Sequence, residues 1–532
     1  MNPAPLLYPL SESAVTISFG EQMDDALHQQ VLQLDQAIRQ EPFAGWVENV
    51  PAYASLTVFY QPEKIAVAES ISAFELVRQW LHSKLANENP NLTLPAQVLR
   101  IPVCYEAPFA PDLDFMADFH GVSRETLIAL HQQDTYKVYM MGFLPGFAYM
   151  GAVDEKLSTP RKSTPRARVP AGSVGIAGRQ TGIYPLDSPG GWQIIGKTPL
   201  KMLDWRRNTP FLLKTGDLVQ FYAISKGTFE QWEQTEHGAT TFLPDLAAAD
   251  ALVLKPGPYS TIQDLGRTGF RAYGVPVGGA MDTYAHQKAN ALLGNAAQAA
   301  TIECTMGGLV LQWQKTTKIA LAGAGTASIN GQNISLEKVY EVTAQDVLEI
   351  RFNQSGIRCY LAVEGGFDSP IILNSKSMNP LIGIGAPLKK GDALYVDRNG
   401  ARATPEKTDW PILSDTARIR VYRGPEFEWL SPESQARFFT QNYTMSHRFD
   451  RMGCHVQSDP LTFSATRELL STAVAPGTIQ CTPAGQLILL LQDCQTIGGY
   501  PRVGQIAAVD LPKVAQWAPG EKCIFTMGRL EG

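Results

Sequence analysis

The chain has 532 residues, of which 44% are hydrophobic and 18% charged, and its formal net charge is -6. A chain of this length predicts two to four domains, each with a core of its own. The mild acidic balance excludes a typical nucleic-acid-binding protein, which carries a basic domain or stripe. The seven cysteines form no Cys-x-x-Cys pair, which argues against a disulfide framework and favours a reducing compartment.

The beginning of the chain gives no sign of a targeting segment. The first 20 residues contain prolines and have no basic stretch followed by an apolar run, so we expect no signal peptide. No segment of the chain approaches the ~18 uninterrupted apolar residues of a membrane span. We therefore expect a cytoplasmic protein that binds neither membranes nor nucleic acids.

Residues 1–90 alternate between helix-like and strand-like patterns. Apolar residues recur at helical spacing over Asp24–Arg39 and over Ile65–Ala86. Ala14–Phe19 and Tyr53–Tyr60 are typical of strands. The sequence therefore predicts a small α+β domain at the N-terminus.

Strand-like patterns dominate residues 91–235, which follow a polar linker predicted at Asn87–Pro95. One helix is predicted at Ser123–Gln133. The predicted strands of this region are Val98–Val103, Phe211–Leu213 and Leu218–Ile224. The polar and alanine-rich stretch Ser225–Asp250 is predicted to join two halves of the chain.

The second half is predicted to be β-rich, in two blocks at residues 250–405 and 410–532, with a helix at Ala280–Leu293. A turn pattern recurs in both halves, as LKTGDLVQF, LKKGDALYV and APGEKCIF. Each copy places a glycine and an acid before a β-run, as is common in β-barrels. The chain as a whole is thus predicted to be mainly β.

One stretch, Met141–Pro199, is dense in glycine and proline, which fix turns. Four cations lie within a few residues of a proline, and a stiffened cation loses little entropy when it binds an anion. They are Arg161, Lys162, Arg166 and Arg168. The stretch is consistent with a rigid site for a carboxylate or phosphate, and also with a solvated loop between strands.

Residues Gly191–Thr198, GWQIIGKT, match the phosphate-loop pattern GxxxxGK[ST]. The bulky Trp-Gln-Ile-Ile centre is typical of a buried strand rather than of a loop that wraps phosphates. No alternating strand and helix pattern surrounds the match. We therefore expect a strand here, and any ATP to bind at a different kind of site.

Other cofactor signatures are missing from the sequence. The eight histidines never pair at metal-ligand spacing, so no metal site is predicted. The biotin-acceptor pattern, a lysine between two methionines, is only half present at Lys201-Met202. We expect no covalently attached biotin.

Several acids of the second half stand next to glycine turns. Asp264 and Arg267 flank Gly266, and Asp282 follows a glycine pair that precedes the predicted helix. Asp493 follows a buried strand and precedes the turn at Tyr500. Such acids suit substrate contact, and they equally suit surface ion pairs, helix ends and plain hairpins.

Long motifs carry a resemblance to a known family. GFLPGFAYMG, TPRKSTPRARVPAGSVGIAG and YPLDSPGGWQIIGKTP resemble the first subunit of the allophanate hydrolase-like, kinase-inhibitor-like family. KPGPYSTIQDLGRTGF, YGVPVGGAMD, DRMG and PGTIQCTPAGQLILLLQDCQTIGGYPRVGQIAAVDL resemble its second subunit. Nearly the whole chain is covered, so it resembles a fusion of the two subunits.

The resemblance implies cyclophilin-like β-barrels and a choice of three functions. The first is a component of ATP-dependent 5-oxoprolinase, which opens 5-oxo-L-proline to L-glutamate with a separate third subunit and uses ATP with magnesium. The second is the carboxyltransferase part of a biotin-dependent urea carboxylase. The third is a non-catalytic inhibitor of a histidine kinase. The sequence leaves open whether the protein forms a homo-oligomer and whether the two halves share one cleft, which their fusion favours.

The resemblance also implies site residues. The residues implied to act in catalysis are Asp264, Asp282 and Asp493. Those implied to bind substrate or an anion are Arg161, Arg166, Gln180, Tyr184, Trp192, Arg267, Gln480 and Tyr500. A nucleophilic or acid–base role for the aspartates and bidentate binding of a carboxylate by the arginines suit these residue types.

Four positions of the second half depart from the family pattern. Lysine stands at 376, alanine at 386 and histidine at 455, where the family usually has arginine, and Gly278 stands where a small residue, often serine, is usual. Lysine does not replace arginine at a bidentate site. Lys376, Ala386 and His455 therefore predict a weakened anion site in the second half, or a diverged substrate.

Overall fold

A computed structural model describes residues 4–66, 71–86, 98–235, 248–353, 356–402 and 417–528. Its elements fall into four groups, which we name the N-terminal domain (4–86), the first barrel (98–235), the sandwich (248–402) and the second barrel (417–528). The linker predicted at Asn87–Pro95 lies outside the described residues. The predicted domain boundaries fall in or beside undescribed stretches and stay predictions.

The N-terminal domain is a four-stranded antiparallel sheet, in the order β1-β2-β4-β3, with two helices. Its elements are β1 Leu6–Ser11, β2 Ala14–Ser18, α1 Asp25–Gln40, β3 Trp46–Pro51, β4 Ser55–Tyr60 and α2 Ala73–Ala86. The Asp24 carboxylate caps α1 by accepting the N–H groups of Ala26 and Leu27 at 2.8 and 3.0 Å. The α+β prediction is confirmed, although α2 begins eight residues later than its apolar spacing indicates.

The first barrel is a seven-stranded sheet in the order β12-β9-β10-β7-β6-β13-β5. Its elements are β5 Val98–Val103, α3 Leu113–His120, α4 Arg124–Gln133, β6 Thr135–Met141, β7 Ala148–Gly151, β8 Arg166–Val169, β9 Ser173–Ala177, β10 Gln180–Ile183, β11 Ser188–Gly190, β12 Gln193–Lys197, β13 Leu218–Ala223 and α5 Lys226–Thr235. Two backbone hydrogen bonds between Cys104 and Lys197 join the sheet's edges, at 2.8 and 3.0 Å, so the barrel is nearly closed.

The phosphate-loop match forms strand β12, as its apolar centre predicts. β12 pairs antiparallel with β9, and Ile194 and Ile195 are buried. The lysine of the match, Lys197, pairs with Glu233 at 3.2 Å and lies over two phenylalanine rings. A phosphate-binding loop is therefore not formed here.

The sandwich packs a seven-stranded and a five-stranded sheet around a shared core. Its elements are β14 Ala251–Pro256, β15 Tyr259–Gln263, α6 Thr283–Leu292, β16 Thr301–Thr305, β17 Leu309–Trp313, β18 Thr317–Gly323, β19 Thr326–Ile329, β20 Gln332–Ile334, β21 Val339–Val342, β22 Val347–Arg351, β23 Arg358–Val363, β24 Phe367–Asp368 and β25 Ala393–Val396. The fully buried Trp313 lies in this core.

The second barrel is closed, in the order β26-β33-β30-β31-β28-β27-β34, and the parallel pair β26–β34 completes the ring. Its elements are β26 Arg418–Arg423, α7 Pro432–Phe438, β27 Tyr443–Phe449, β28 Gly453–Gln457, β29 Thr472–Ala473, β30 Thr478–Cys481, β31 Leu487–Leu490, β32 Ile497–Gly498, β33 Arg502–Ile506, α8 Leu511–Ala515 and β34 Lys522–Met527. The prediction of a mainly β chain with β-barrels is confirmed.

The recurring turn of the sequence is one structure used three times, before β13, β25 and β34. In each copy the acid accepts the backbone N–H of the residue three positions earlier, as Asp217 does from Lys214 at 3.0 Å. Two local predictions are wrong. Phe211–Leu213 forms only an isolated bridge, and the predicted join beginning at Ser225 contains helix α5.

The halves of the chain are packed together by apolar contacts that cross between domains. One buried cluster combines Tyr53 of the N-terminal domain, Met140 of the first barrel and Ile497 of the second barrel. At Gly274, with φ of 79°, a Cβ would lie 2.6 Å from the carbonyl oxygen of Leu144. This close approach holds the sandwich against the loop that follows β6.

Among the described helices, none has the length and apolar character that crossing a membrane requires.

Candidate active site

A cleft of about 920 Å³ lies between the first barrel and the second barrel. The first barrel contributes Phe143, Tyr149 and Arg161. The second barrel contributes most of the polar lining, which includes His447, Arg448, Asp450, His455, Arg467, Glu468, Ser471, Gln480, Gln495 and Tyr500. Both halves of the chain therefore form one shared cleft.

Strand β27 presents consecutive side chains to the cleft because its register is irregular. Met445 pairs with Val456 and Phe449 pairs with Cys454, so that residues 446–448 stand opposite the single residue His455. In a regular strand, successive side chains point to opposite faces. Bulges of this kind re-aim side chains and are common beside active sites.

The charged lining of the cleft is rich in cations. Within the described part of the chain, no carboxylate lies within ion-pair distance of Arg161, Arg448 or Arg467. The Asp450 carboxylate is engaged in its own turn, where it accepts the N–H groups of Met452 and Gly453 at 2.7 and 3.1 Å. The arginines are therefore available to an anion in the cleft.

Arg161 lines the cleft from the first barrel, next to aromatic side chains. Its guanidinium lies over the Trp192 ring, 6.0 Å from the ring centroid. Behind it, Phe147 contacts Tyr149, Tyr184 and Trp192 edge-on or tilted, at centroid distances of 4.7 to 5.4 Å. This packing restricts the arginine to the cleft side of an apolar wall.

The other cations of the proline-rich segment are paired within the first barrel. Arg166 contacts the buried Asp112 carboxylate at 2.5 Å, and Lys162 contacts the same carboxylate at 3.3 Å. Arg168 pairs with the exposed Asp187 at 2.6 Å. Of these four predicted anion binders, the structure places Arg161 in the cleft and holds the others against acids of the chain.

The predicted pocket residues Gln180, Tyr184 and Trp192 stand behind Arg161 rather than on the cleft surface. Gln180 lies beside the hydroxyl of Tyr53, which is 1% exposed and completes no hydrogen bond within the described residues. Burial raises the pKa of Tyr184 to about 12 and raises that of Tyr53 further, so both hydroxyls stay protonated at neutral pH.

The Asp264 carboxylate accepts four hydrogen bonds inside the sandwich. Its carboxylate accepts the hydroxyls of Ser375 and Ser377 and the backbone N–H groups of Gly266 and Lys376. Such a set fixes the 375–377 loop against the 264–267 turn. Asp264 holds two backbone segments together and lies apart from the cleft lining.

Arg267 lies in the same region and is 1% exposed. It donates to the carbonyl oxygens of Ile372 and Ser377, while its Nη1 has no partner within the described residues. Burial lowers the pKa of this guanidinium. A Cβ at Gly278 would lie 3.3 Å both from this Nη1 and from an Asp493 oxygen, closer than a Cβ normally packs, so the glycine lets the backbone pass tightly between the two charges.

Asp282 is the N-cap of α6, where its carboxylate accepts the N–H of Ala285 at 2.9 Å. Its second oxygen accepts from the Gln516 amide at 2.7 Å, which links the sandwich to the second barrel. Burial raises the pKa of this carboxyl. The sequence placed Asp282 in the first turn of the helix, and the structure places it one residue before the turn.

Asp493 belongs to a buried ionic network centred on Arg451. The Arg451 guanidinium contacts Asp493 at 2.8 Å and Glu303 at 2.5 Å, and it donates to the carbonyl oxygen of Gly279. Burial raises the pKa of the Asp493 carboxyl. Because Arg451 lies between the cleft residues Asp450 and Met452, this network anchors the wall of the cleft from behind.

The positions that depart from the family pattern lie in different parts of the structure. Lys376 is held by Asp368 and Asp397, at 3.1 and 2.7 Å, and Ala386 is exposed. His455 lines the cleft on β28, whereas Lys376, Ala386 and Gly278 are not among the lining residues. Gln480 and Tyr500 also line the cleft, as predicted for substrate-binding residues, and their roles stay predictions.

Several lining residues have no counterpart in the sequence-based site. They are Phe143, Tyr149, His447, Arg448, Arg467 and Gln495. His447 and Arg448 reach the cleft through the irregular register of β27, which leaves no local signal in the sequence. In the described residues there is no group of three or more His, Cys, Asp or Glu side chains placed to hold a metal ion.

The fold and the site define a multidomain β-barrel protein whose two halves share a cation-lined cleft. The model of the carboxyltransferase domain, subdomain C and D, matches residues 5–213, and that of subdomain A and B matches residues 273–527. The chain belongs to this carboxyltransferase-domain family.

Each of three relatives matches about half of this chain. The B subunit of 5-oxoprolinase from Bacillus subtilis is 41% identical over 228 residues, which are 42% of this chain and 95% of the relative. The C subunit of 5-oxoprolinase from Escherichia coli is 36% identical over 284 residues, 52% of this chain and 91% of the relative. Urea amidolyase of Saccharomyces cerevisiae is 29% identical over 51% of this chain and 16% of its own length.

A solved structure shares the full arrangement. The crystal structure of the protein TTHA0988 matches with a TM-score of 0.81 at 32% identity, covering 96% of this chain and 99% of its own. The predicted fusion of two subunits of one family is therefore confirmed.

Proposed function

We propose that this chain fuses the B and C subunits of an ATP-dependent 5-oxoprolinase and acts with a separate partner subunit to convert 5-oxo-L-proline to L-glutamate. The observation that carries the proposal is the shared cleft, with unpaired cations on both walls. Relatives named as the two oxoprolinase subunits, each covered over more than nine-tenths of its length, support the same assignment.

The chemistry needs cations at two places. A lactam is a poor electrophile, and transfer of a phosphoryl group from ATP to its oxygen would activate the ring carbon toward water. Opening of the ring and release of phosphate then give glutamate. Arg161 would bind the substrate carboxylate, and Arg448 and Arg467 would stabilise charge on the transferred phosphoryl group. Magnesium, bound with ATP, would neutralise further phosphate charge.

The buried aspartates take supporting roles in this proposal. Asp264, Asp282 and Asp493 are saturated with hydrogen bonds or ion pairs inside the protein. We assign them to positioning the cleft wall, because none of the three lies among the residues described as lining the cleft. A substitution there should act on the stability of the fold as well as on turnover.

The test is ATP turnover by the purified chain mixed with its candidate partner subunit, with and without 5-oxoproline, together with detection of glutamate. We expect turnover that depends on 5-oxoproline and on both proteins. A verified partner with no 5-oxoproline-dependent turnover and no glutamate would refute the proposal.

A second candidate is the carboxyltransferase step of a biotin-dependent urea carboxylase. The match of about half of this chain, 51%, to urea amidolyase favours it. Because the chain lacks the biotin-acceptor pattern, a separate biotinylated carrier would be required. Transfer of the carboxyl group from free carboxybiotin to urea by this chain, giving biotin and carboxylated urea and unaffected by 5-oxoproline, would favour this candidate over the first.

A further inference from the structure

We propose that the second-barrel wall of the cleft, formed by His447, Arg448, His455 and Arg467, binds a phosphate-type dianion and that its affinity rises as the two histidines gain protons. The proposal deepens the proposed function, since the terminal phosphate of a nucleotide would lie on this wall. It differs from that function in predicting a binding property of the chain alone.

The wall is built by strand pairing rather than by loose surface side chains. His455 lies on β28 directly opposite residues 446–448 of β27, and the irregular register turns both His447 and Arg448 toward the cleft. Two imidazoles and a guanidinium thus converge from two hydrogen-bonded strands. Three donors held by a barrel suit the several oxygens of a phosphate.

Arg467 completes this wall from the loop that follows β28. Its guanidinium lies 5.5 Å from the centroid of the Trp429 ring, which orients it. The Arg448 and Arg467 guanidinium groups have no carboxylate within ion-pair distance in the described part of the chain. Both therefore lack an internal partner that an incoming anion would have to displace.

The other charged groups that face the wall define its pH dependence. Arg161 faces it from the first barrel, Asp450 lies in the turn between the two strands, and Glu468 stands beside Arg467. With neutral histidines, three arginines against two carboxylates leave the cleft one net positive charge. Protonation of both histidines raises this to three.

The neutral lining supports the same assignment. Gln480, Gln495 and Ser471 line the cleft beside the cations and offer hydrogen-bond donors. The amide of Gln495 stands 3.5 Å from that of Gln480, so both side chains are turned to the same part of the cleft. A dianion on the histidine wall would still leave Arg161 on the opposite wall for a carboxylate.

The test is calorimetric titration of the full chain with sulfate, which keeps its double charge across the whole pH range used. We expect binding about fivefold tighter at pH 5.5 than at pH 8. The double variant His447→Gln, His455→Gln should bind at pH 5.5 as the wild type does at pH 8, while His82→Gln, on an exposed face of α2, should keep the wild-type profile. His455→Arg should bind tightly at pH 8 and lose much of the pH dependence.

Two results would overturn the proposal. One is a sulfate affinity that does not change with pH in the wild type. The other is a double histidine variant that keeps the wild-type profile while Arg448→Gln has no effect. Competition by ATP and by inorganic phosphate identifies the source of the dianion: displacement of sulfate by ATP assigns a nucleotide, and displacement by phosphate but not by ATP assigns free phosphate. The titration uses neither turnover nor the partner subunit, so a failed oxoprolinase assay does not decide it.

Discussion

The charges buried behind the cleft are held in ion pairs, whereas the arginines that line it have no carboxylate partner among the described residues. Behind the wall, Arg451 is paired with Glu303 and Asp493 and is almost completely buried. On the wall, Arg448 is exposed and has no carboxylate partner among the described residues. Buried charges must be paired to be tolerated, whereas unpaired cations on a cleft surface are suited to a ligand. Arg451 therefore stabilises the structure, while Arg448, three residues earlier in the sequence, is suited to binding a ligand.

The largest expected effect is a loss of folding stability, caused by a substitution in the buried network behind the cleft. Replacing Arg451 by methionine leaves the buried Asp493 carboxylate without its ion-pair partner and leaves Glu303 to the more distant Arg358, at 3.8 Å, which costs about 3–5 kcal/mol. We expect a large fall in the urea midpoint of unfolding. Arg448→Ala, three residues away on the cleft surface, serves as the control and should change stability by about 0.5 kcal/mol or less. Equal unfolding midpoints for the two variants would contradict the distinction between a structural Arg451 and a binding Arg448.

The next effect separates binding from stability on the first barrel. Arg161→Ala removes a charged hydrogen bond to the proposed carboxylate, worth about 1.5–3 kcal/mol, or roughly a 10- to 150-fold loss of affinity. The half-saturating 5-oxoproline concentration should rise accordingly, with the thermal midpoint unchanged. Arg168→Ala lies in the same proline-rich segment but pairs with exposed Asp187, so it should leave this concentration unaltered.

Buried histidines give a third test, by pH. Burial lowers the pKa of His28 and of His131 to about 3 and that of His286 to about 4. In the unfolded chain these groups bind protons below about pH 6.5, and in the folded chain they do not, so stability falls as the pH drops. Each should contribute about 1.4 kcal/mol of lost stability per pH unit between pH 6.5 and its folded pKa.

Thermal unfolding from pH 7 to pH 4.5 checks this prediction. His131→Gln should flatten the loss between pH 6.5 and 4.5 relative to the wild type at the cost of a lower midpoint at pH 7. A midpoint that stays constant down to pH 4.5 would contradict the role given to these buried imidazoles.

The smallest effect is expected at an altered position outside the cleft. Lys376 is held by two carboxylates, Asp368 and Asp397, and does not face the cleft. Lys376→Arg should therefore change the half-saturating 5-oxoproline concentration less than twofold. An increase in turnover of tenfold or more would show that the lost arginine was a binding residue.

The sequence predicts the elements that have local signals and misses those that depend on distant pairing. Helical spacing located α1, α4 and α6 to within three residues at each end, because amphipathic helices carry their pattern locally. Helix α3, of eight residues, and helix α5, which lies in the stretch predicted as a polar join, were missed. The bulky centre of the phosphate-loop match correctly indicated strand β12.

The candidate site divides in the same way. Arg161, Gln480 and Tyr500 were found through motifs and do line the cleft. Arg166 was singled out by the same proline-stiffened pattern, yet it is held by Asp112, which lies 54 residues earlier in the chain. His447 and Arg448 were missed because a shift in strand register turns them toward the cleft, and this shift leaves no local pattern in the sequence.

The central claim is that one cleft, built by both halves of the chain, is the site of action. The most direct measurement is 5-oxoproline-dependent ATP turnover, with the partner subunit present, of Arg161→Ala and of Arg448→Ala at matched folded fractions. The account predicts that each variant alone loses most of the stimulated turnover while its unfolding midpoint stays at the wild-type value. Wild-type turnover in either variant would contradict a shared site.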